Sequence, residues 1–179
     1  GLPEKGLLGS LRWNSDIDTM REKGDLVSAS VACFTRGTLI TTALGDLPVE
    51  TLGPGARVLT QGSGYQELVT ALRRSIEASE LAKNPKLYPI RITAGSLGAG
   101  LPKRDLMVSR QHRMLARSGI VKRMCGAMAV LVAAIRLTDL PGVYVEDKVA
   151  RVEYFHLIFK KHEVIYAEGA PTESFLLNA

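Results

Sequence analysis

The segment Ala32–Ile40 has the sequence ACFTRGTLI, and it opens a region of short extended stretches separated by glycine-containing turns. β-Branched and aliphatic residues favour strands, while Gly45-Asp46 and Gly53-Pro54-Gly55 are typical turn sequences. The predicted strands of this region are Thr38–Thr42, Leu47–Leu52 and Arg57–Thr60. The pattern therefore predicts a β-meander that begins close to Cys33.

The same kind of pattern continues downstream. The stretch Ala94–Pro102 contains three Gly and one Pro, which predicts a loop. The Ala-rich stretch Val130–Leu137 is expected to form a short helix, because Ala has the highest helix propensity and Pro141-Gly142 follows it. Further strands are predicted at Glu67–Ile76, Pro89–Thr93, Leu106–Leu115 and Val152–Phe159. The predicted fold class is mainly β with short helical segments.

Two of these strands carry polar residues where function could reside. A polar group, Ser109-Arg110-Gln111-His112, interrupts the apolar pattern of Leu106–Leu115. In Val152–Phe159 the side chains alternate, so that Phe155 and Leu157 are expected to face the core and His156 the opposite side.

Length and composition indicate one globular domain with a short appendage. The chain has 179 residues, of which 46% are hydrophobic and 23% charged, enough to bury a core without covalent crosslinks. Its two cysteines, Cys33 and Cys125, are too few for a disulfide scaffold. Cys125 is expected to pack in the core, although a Cys33–Cys125 disulfide stays open as an alternative.

Charge and hydropathy argue against nucleic-acid binding and against a membrane span. The 23 Lys and Arg residues exceed the 18 Asp and Glu residues, but the basic residues stand in dyads without interleaved aromatics, so no nucleic acid is expected. The longest apolar run, Ala127–Ile135, has nine residues, whereas a membrane span needs about 20. Gly1–Ser15 does not resemble a signal peptide. We expect a soluble protein whose location is open, including a secreted or cell-surface precursor.

Three ordered blocks of the sequence resemble the Hint domain, the module shared by Hedgehog autoprocessing domains, inteins and bacterial intein-like proteins. In the second block a Ser stands three residues before a His, where the family has Thr or Ser. The third resembles the closing block of a bacterial Hint subfamily. The blocks are Ala32–Ile40 with Gly45–Gly55, then Asp105–Leu115, then Tyr154–Leu157 with His162–Ser174.

The resemblance implies a pseudo-twofold, all-β horseshoe whose first residue is a nucleophilic cysteine. Residues 1–32 would be a leader or the tail of an upstream segment, and residues 33–179 a Hint autoprocessing domain. The substrate would be the protein's own upstream polypeptide, and the scissile bond Ala32–Cys33. No cofactor and no metal are implied.

Each chemical role in such a cleavage has a candidate residue. A peptide bond is resonance-stabilised, so its conversion to a thioester needs an attacking thiolate, which Cys33 would supply. His112 would protonate the departing amide nitrogen, and Ser109 would polarise the Ala32 carbonyl. By resemblance, either His156 or His162 is expected near Cys33, to stabilise the tetrahedral intermediate or help resolve the thioester.

Departures from the wider family narrow the expected reaction. Inteins end in a His-Asn pair, whereas this chain has Glu173-Ser174 at the comparable place, which argues against full splicing. Lys86–Lys103 contains no Asp or Glu, which argues against Hedgehog-type sterol transfer. The expected reaction is a single-turnover, autocatalytic N-to-S acyl shift followed by release of the upstream segment to water, a small thiol or another nucleophile.

Alternative interpretations remain at this point. Cys33 could be a buried structural thiol, Ser109 a turn cap, and the three histidines ordinary hydrogen-bonded residues. The chain could be a cysteine hydrolase acting on other proteins, or an inactive Hint-fold interaction module. A zinc site is a further alternative, with the candidate ligands Cys33, His112, His156 and His162.

Overall fold

The computed structural model describes residues 32–117 and 129–174. Residues 1–31 of the expected leader and the second cysteine, Cys125, lie outside the described residues, as does any disulfide that would include Cys125. No helix within the described ranges is long and apolar enough to cross a membrane.

Short antiparallel strands dominate the described chain, which confirms the mainly β fold class. One α-helix, α1 (Ala78–Lys83), and three short 3₁₀ helices at Val49–Thr51, Pro85–Leu87 and Ala134–Asp139 accompany them. The strands are β1 (Phe34–Thr35), β2 (Leu39–Thr42), β3 (Gly45–Pro48), β4 (Arg57–Thr60), β5 (Gly64–Glu67), β6 (Thr70–Ile76), β7 (Ile90–Ile92), β8 (Leu106–Val108), β9 (Arg113–Arg117), β10 (Ala129–Ala133), β11 (Val143–Val145), β12 (Val152–Ile158), β13 (Val164–Ala167) and β14 (Ala170–Glu173).

Three predicted elements differ from the structure. Gly45-Asp46, predicted as a turn, is instead paired in β3 opposite Thr42 and Thr41. The strand expected over Leu47–Leu52 stops at Pro48, and the chain turns into a 3₁₀ helix that buries Val49. The helix expected over Val130–Leu137 is instead strand β10 followed by the 3₁₀ helix Ala134–Asp139. The helix prediction was wrong because Val130 and Val132 are β-branched and pair with Ala116 and Met114 of β9, a tertiary contact that outweighs the propensity of the flanking alanines.

The strands form two sheets. One has six strands in the order β11-β7-β8-β1-β12-β6, and the other has eight, with β10-β9-β14-β13-β2-β4-β5 in a row and β3 paired to β2. In the first sheet the two-residue strand β1 lies between β8 and β12, since Phe34 is opposite both Val108 and Phe155. Both pairings are antiparallel, so the residue before Phe34 comes opposite Ser109 on one side and His156 on the other.

The core has a main part and a smaller part. Phe155 and Leu157 of β12 face the main cluster, as the alternation of the sequence predicts. The other face of β12 is also covered, because His156 is only 2% exposed. A second apolar cluster is separate from the main one and consists of Cys33, Ile76, Leu81, Leu87, Val152 and Tyr154.

Candidate active site

The amide nitrogen of the Ala32–Cys33 bond is held by Ser109, the first residue after β8. The Cys33 N–H donates to Ser109 Oγ at 2.9 Å, and the Ser109 N–H donates to the Cys33 carbonyl at 3.0 Å. The sequence-based expectation was that Ser109 polarises the Ala32 carbonyl. The structure instead places its hydroxyl on the nitrogen, because the antiparallel register of β1 and β8 brings the Cys33 N–H to Ser109.

The carbonyl of the same bond faces His156. His156 Nδ1 lies 2.6 Å from the Ala32 carbonyl oxygen. A carbonyl oxygen can only accept a hydrogen bond, so Nδ1 must carry the proton and donate it. Burial lowers the pKa of His156 to about 4, with the hydrogen bond to Ala32 acting in the opposite direction. At neutral pH His156 is therefore an uncharged donor aimed at the carbonyl oxygen.

The Cys33 thiol is buried beside this donor. Its Sγ is 3.9 Å from His156 Nδ1, and its side chain has no solvent exposure. Because the surrounding cluster is apolar, burial raises the pKa of the thiol well above its usual range. Among the described residues Cys33 has no disulfide partner, and in this environment the resting form of its thiol is the protonated one.

His112 lies at the end of the turn that begins with Ser109, next to the residue that follows Cys33. Its N–H donates to the Ser109 carbonyl at 3.0 Å, and its ring packs edge-on against Phe34 with the centroids 4.6 Å apart. His112 Nε2 contacts Thr172 Oγ1. Burial lowers the pKa of His112 to about 3, and the neighbouring His156 and Arg113 add to this effect. His112 is therefore also uncharged at neutral pH.

His162 has different surroundings. It follows the end of β12, and its Nε2 lies 3.5 Å from the Glu173 carboxylate, which also binds the Arg113 side chain at 2.6 Å. Of the two histidines considered for a position near Cys33, the structure places His156 there. His162 lies beside the Arg113–Glu173 ion pair.

Thr172 contacts a candidate catalytic residue but is not predicted from the sequence. It stands beside Glu173-Ser174 in the closing block, and no motif relates it to His112. Only the pairing of β14 with β9, in which Thr172 is opposite Met114, brings it to the neighbouring histidine.

The zinc alternative gains no support from the geometry. Among residues 32–117 and 129–174, no group of three or more His, Cys, Asp and Glu side chains is placed to hold a metal ion. The proposed ligand His162 is instead beside Glu173.

Several inteins of known structure are similar to this chain. A DnaB intein from Synechocystis sp. matches with a TM-score of 0.51 at 10% identity, covering 81% of this chain and 99% of that one. The Ssp DnaB mini-intein variant M86 matches with a TM-score of 0.52 at 8% identity, covering 83% of this chain and 97% of that one. The gp41-1 intein matches with a TM-score of 0.49 at 12% identity, covering 80% and 98%.

Sequence comparison with protein families gives a match over most of the chain. No curated protein matches at a significant level. The family model described as the Hint domain matches residues 32–179, a range that begins one residue before Cys33 and includes all the site residues described above. The chain therefore belongs to the Hint domain family, whose fold indicates a function of the autoprocessing or splicing type.

Proposed function

We propose that this domain cleaves its own Ala32–Cys33 bond by an N-to-S acyl shift and releases the upstream segment without full splicing. In this proposal residues 33–179 are the autoprocessing domain, and residues 1–32 belong to the upstream segment. The observation that carries it is that both ends of a single peptide bond are engaged. Ser109 Oγ accepts from its nitrogen, and His156 Nδ1 donates to its carbonyl oxygen, next to a cysteine thiol.

The first step forms a bond between Cys33 Sγ and the Ala32 carbonyl carbon. As this bond forms, the thiol proton passes to His112 Nδ1, a buried ring nitrogen with no hydrogen-bond partner among the described residues, and the carbonyl π electrons move to the oxygen. His156 Nδ1–H is already within hydrogen-bond distance of that oxygen, at 2.6 Å, so it stabilises the oxyanion as charge develops. Such a preorganised donor is a major source of rate enhancement in acyl transfer.

The second step breaks the bond between the Ala32 carbonyl carbon and the Cys33 nitrogen. His112 returns its proton to the departing nitrogen, giving a thioester to Cys33 Sγ and a free α-amino group. Ser109 Oγ keeps its contact with this nitrogen and holds it in place. Water or a small nucleophile then attacks the thioester, which frees the thiol and leaves the upstream chain as an acid or as an adduct.

The closing block supports cleavage rather than splicing. Inteins have a His-Asn pair where this chain has Glu173-Ser174, and the Ser174 hydroxyl is already a structural acceptor for the Glu163 N–H at 2.8 Å. Neither side chain carries an amide that could cyclise to release a downstream segment.

The burial of the Cys33 thiol argues against a hydrolase that acts on other proteins. A cysteine hydrolase acting on other proteins must present its nucleophile to an external peptide, whereas the Cys33 side chain has no exposed surface. The following experiment distinguishes an inactive Hint-fold module from an active one.

Intact-mass measurement of the purified chain tests the proposal. The wild type is incubated at neutral pH with and without dithiothreitol or hydroxylamine, both of which attack thioesters. We expect a product that ends at Ala32 and a second that begins with Cys33, formed faster with the added nucleophile. Cys33→Ala should give neither product, and Cys125→Ala should behave as the wild type. An unchanged wild-type mass after long incubation with either nucleophile would mean that the domain is inactive.

A further inference from the structure

Thr172 lies in the middle of β14 and is fully buried against the candidate site. Its hydroxyl contacts a carbonyl oxygen, which can only accept a hydrogen bond, and a histidine ring nitrogen, which can donate or accept one. Thr172 Oγ1 donates to the Arg113 carbonyl at 3.0 Å, and the same oxygen contacts His112 Nε2.

The Arg113 carbonyl determines which atoms of Thr172 and His112 carry a proton in their contact. A threonine hydroxyl has a single proton, and the Arg113 carbonyl can only accept, so the proton must point to Arg113. The Thr172 oxygen can then serve His112 only as an acceptor, which requires a proton on Nε2. An uncharged imidazole has one ring proton, so His112 Nδ1 is left as a lone pair. Within the described part of the chain this Nδ1 is buried and has no hydrogen-bond partner.

The two histidines of the site therefore have opposite tautomers. His156 carries its proton on Nδ1 because the Ala32 carbonyl accepts it, whereas His112 carries its proton on Nε2 because Thr172 accepts it. One ring is a ready donor toward the scissile carbonyl, and the other is a ready acceptor for a proton.

A charged pair beside Thr172 fixes its position. Glu173 accepts from the Arg113 backbone N–H at 3.0 Å and from its Nε at 2.8 Å. The Arg113–Glu173 contact therefore joins β9 and β14 at the residues that directly follow His112 and Thr172. Because the same two strands carry the Arg113–Glu173 and the His112–Thr172 contacts, the Thr172 hydroxyl has little freedom to move away from the imidazole.

We propose that Thr172 is a positioning residue that holds His112 in its Nε2–H tautomer, so that Nδ1 is free to take the thiol proton and return it to the amide nitrogen. This inference rests on the proposed function for its catalytic consequence. The tautomer itself is a property of the folded chain and can be measured whether or not cleavage occurs.

The first test measures the tautomer directly. Long-range ¹H–¹⁵N NMR spectra distinguish a protonated ring nitrogen from an unprotonated one, and the Cys33→Ala chain keeps the protein intact during the measurement. The signals are assigned with single His→Gln variants. We expect a protonated Nε2 at His112 and a protonated Nδ1 at His156. A protonated Nδ1 at His112 in this otherwise native chain would overturn the inference, even if every Thr172 variant failed to fold.

The second test compares variants of Thr172 with a matched control. Thr172→Val keeps the shape but removes the acceptor, and we expect the tautomer of His112 to shift and cleavage to slow by about 100-fold, the usual contribution of an acid–base group. Thr172→Ser should restore both. Thr60→Val removes another buried hydroxyl of the same sheet, which donates to the Gly64 carbonyl at 2.6 Å, and should leave both unchanged.

The outcomes separate this inference from the proposed function. A wild type that never cleaves contradicts the function, and the NMR spectra still decide the role of Thr172. A wild type that cleaves while Thr172→Val keeps the native tautomer and the native rate contradicts the positioning role alone. A folded Thr172→Val chain that cleaves slowly with an unchanged His112 tautomer also contradicts it.

Discussion

Cys33 and Ser109 exchange two hydrogen bonds: the Cys33 N–H donates to the Ser109 hydroxyl at 2.9 Å, and the Ser109 N–H donates to the Cys33 carbonyl at 3.0 Å. One of the two uses a side chain in place of a backbone carbonyl. The nitrogen that would leave in the proposed cleavage is thereby bound to a hydroxyl, which can rotate and exchange its proton, whereas an ordinary strand pairing would bind it to a backbone carbonyl.

Removal of that hydroxyl should affect both stability and rate. Ser109→Ala leaves the buried Cys33 N–H without its acceptor, which costs about 1–3 kcal/mol in the free energy of unfolding. We also expect cleavage to slow by about tenfold, the equivalent of 1.4 kcal/mol in the barrier. Urea unfolding and intact-mass time courses measure the two effects. Ser109→Thr, which retains the hydroxyl, is the matched control, and equal behaviour of the Ala and Thr variants would contradict the assigned contact.

The free energy of unfolding of the domain should decrease as the pH falls below 6.5, the pKa of an exposed histidine. Burial lowers the pKa of His112 to about 3 and of His156 to about 4, from 6.5 in an exposed histidine. Between these values the unfolded chain binds more protons than the folded chain, so the free energy of unfolding is highest above pH 6.5 and declines as the pH falls toward 4. Urea titrations across this range measure the slope.

The control for this pH dependence is the loss of one titrating group. His156→Gln keeps a polar side chain but removes one buried proton site, and the slope should fall by about 1.4 kcal/mol per pH unit. An unchanged slope would show that His156 is already charged, or exposed, in the folded chain.

The Cys33 thiol should resist alkylation in the folded domain. Its side chain has no exposed surface, and burial raises its pKa, so both access and thiolate content are low. In a Cys125→Ala background, which leaves Cys33 as the only cysteine, iodoacetamide should react slowly in native buffer and rapidly in urea. Fast native labelling, with unfolding excluded by circular dichroism, would contradict the buried position.

The Arg113–Glu173 pair should contribute more than an exposed ion pair. Glu173 is almost fully buried and binds Arg113 through several nitrogens, so Glu173→Gln should destabilise the fold by about 1.5–3 kcal/mol. The Arg151–Glu77 pair has side chains that are 57% and 64% exposed, and Glu77→Gln should change stability by less than about 1 kcal/mol. Urea midpoints of the two variants make the comparison, and similar losses would contradict it.

Much of this arrangement is predictable from local sequence. The alternation around Val58 in Arg57–Thr60 and around Phe155 in β12 marks strands, because a period of two residues is specific to extended chain. Ser109 and His112 can be singled out because polar residues interrupt an apolar run there, and His156 because it lies opposite the predicted core face of its strand. Cys33 is singled out by the resemblance of its flanking sequence to the Hint family.

Other parts depend on contacts between distant segments. The register of β1 decides that Ser109 meets the Cys33 nitrogen and His156 the Ala32 carbonyl, and no spacing within either segment contains that information. The same holds for Thr172, which reaches His112 only through the pairing of β14 with β9. Val132 was predicted to be helical because its partner Met114 is not visible in the local pattern.

The position of β1 between β8 and β12 also sets an order of events during synthesis. Ser109 is 76 residues beyond Cys33, and His156 is 124 residues beyond Ala32. A growing chain that has left the ribosome only as far as β9 has the thiol and the serine but no donor for the Ala32 carbonyl. His156 can reach the Ala32 carbonyl only after β12 has been made and added to the sheet. Under the proposed cleavage, a newly made upstream segment would therefore stay attached until β12 is in place.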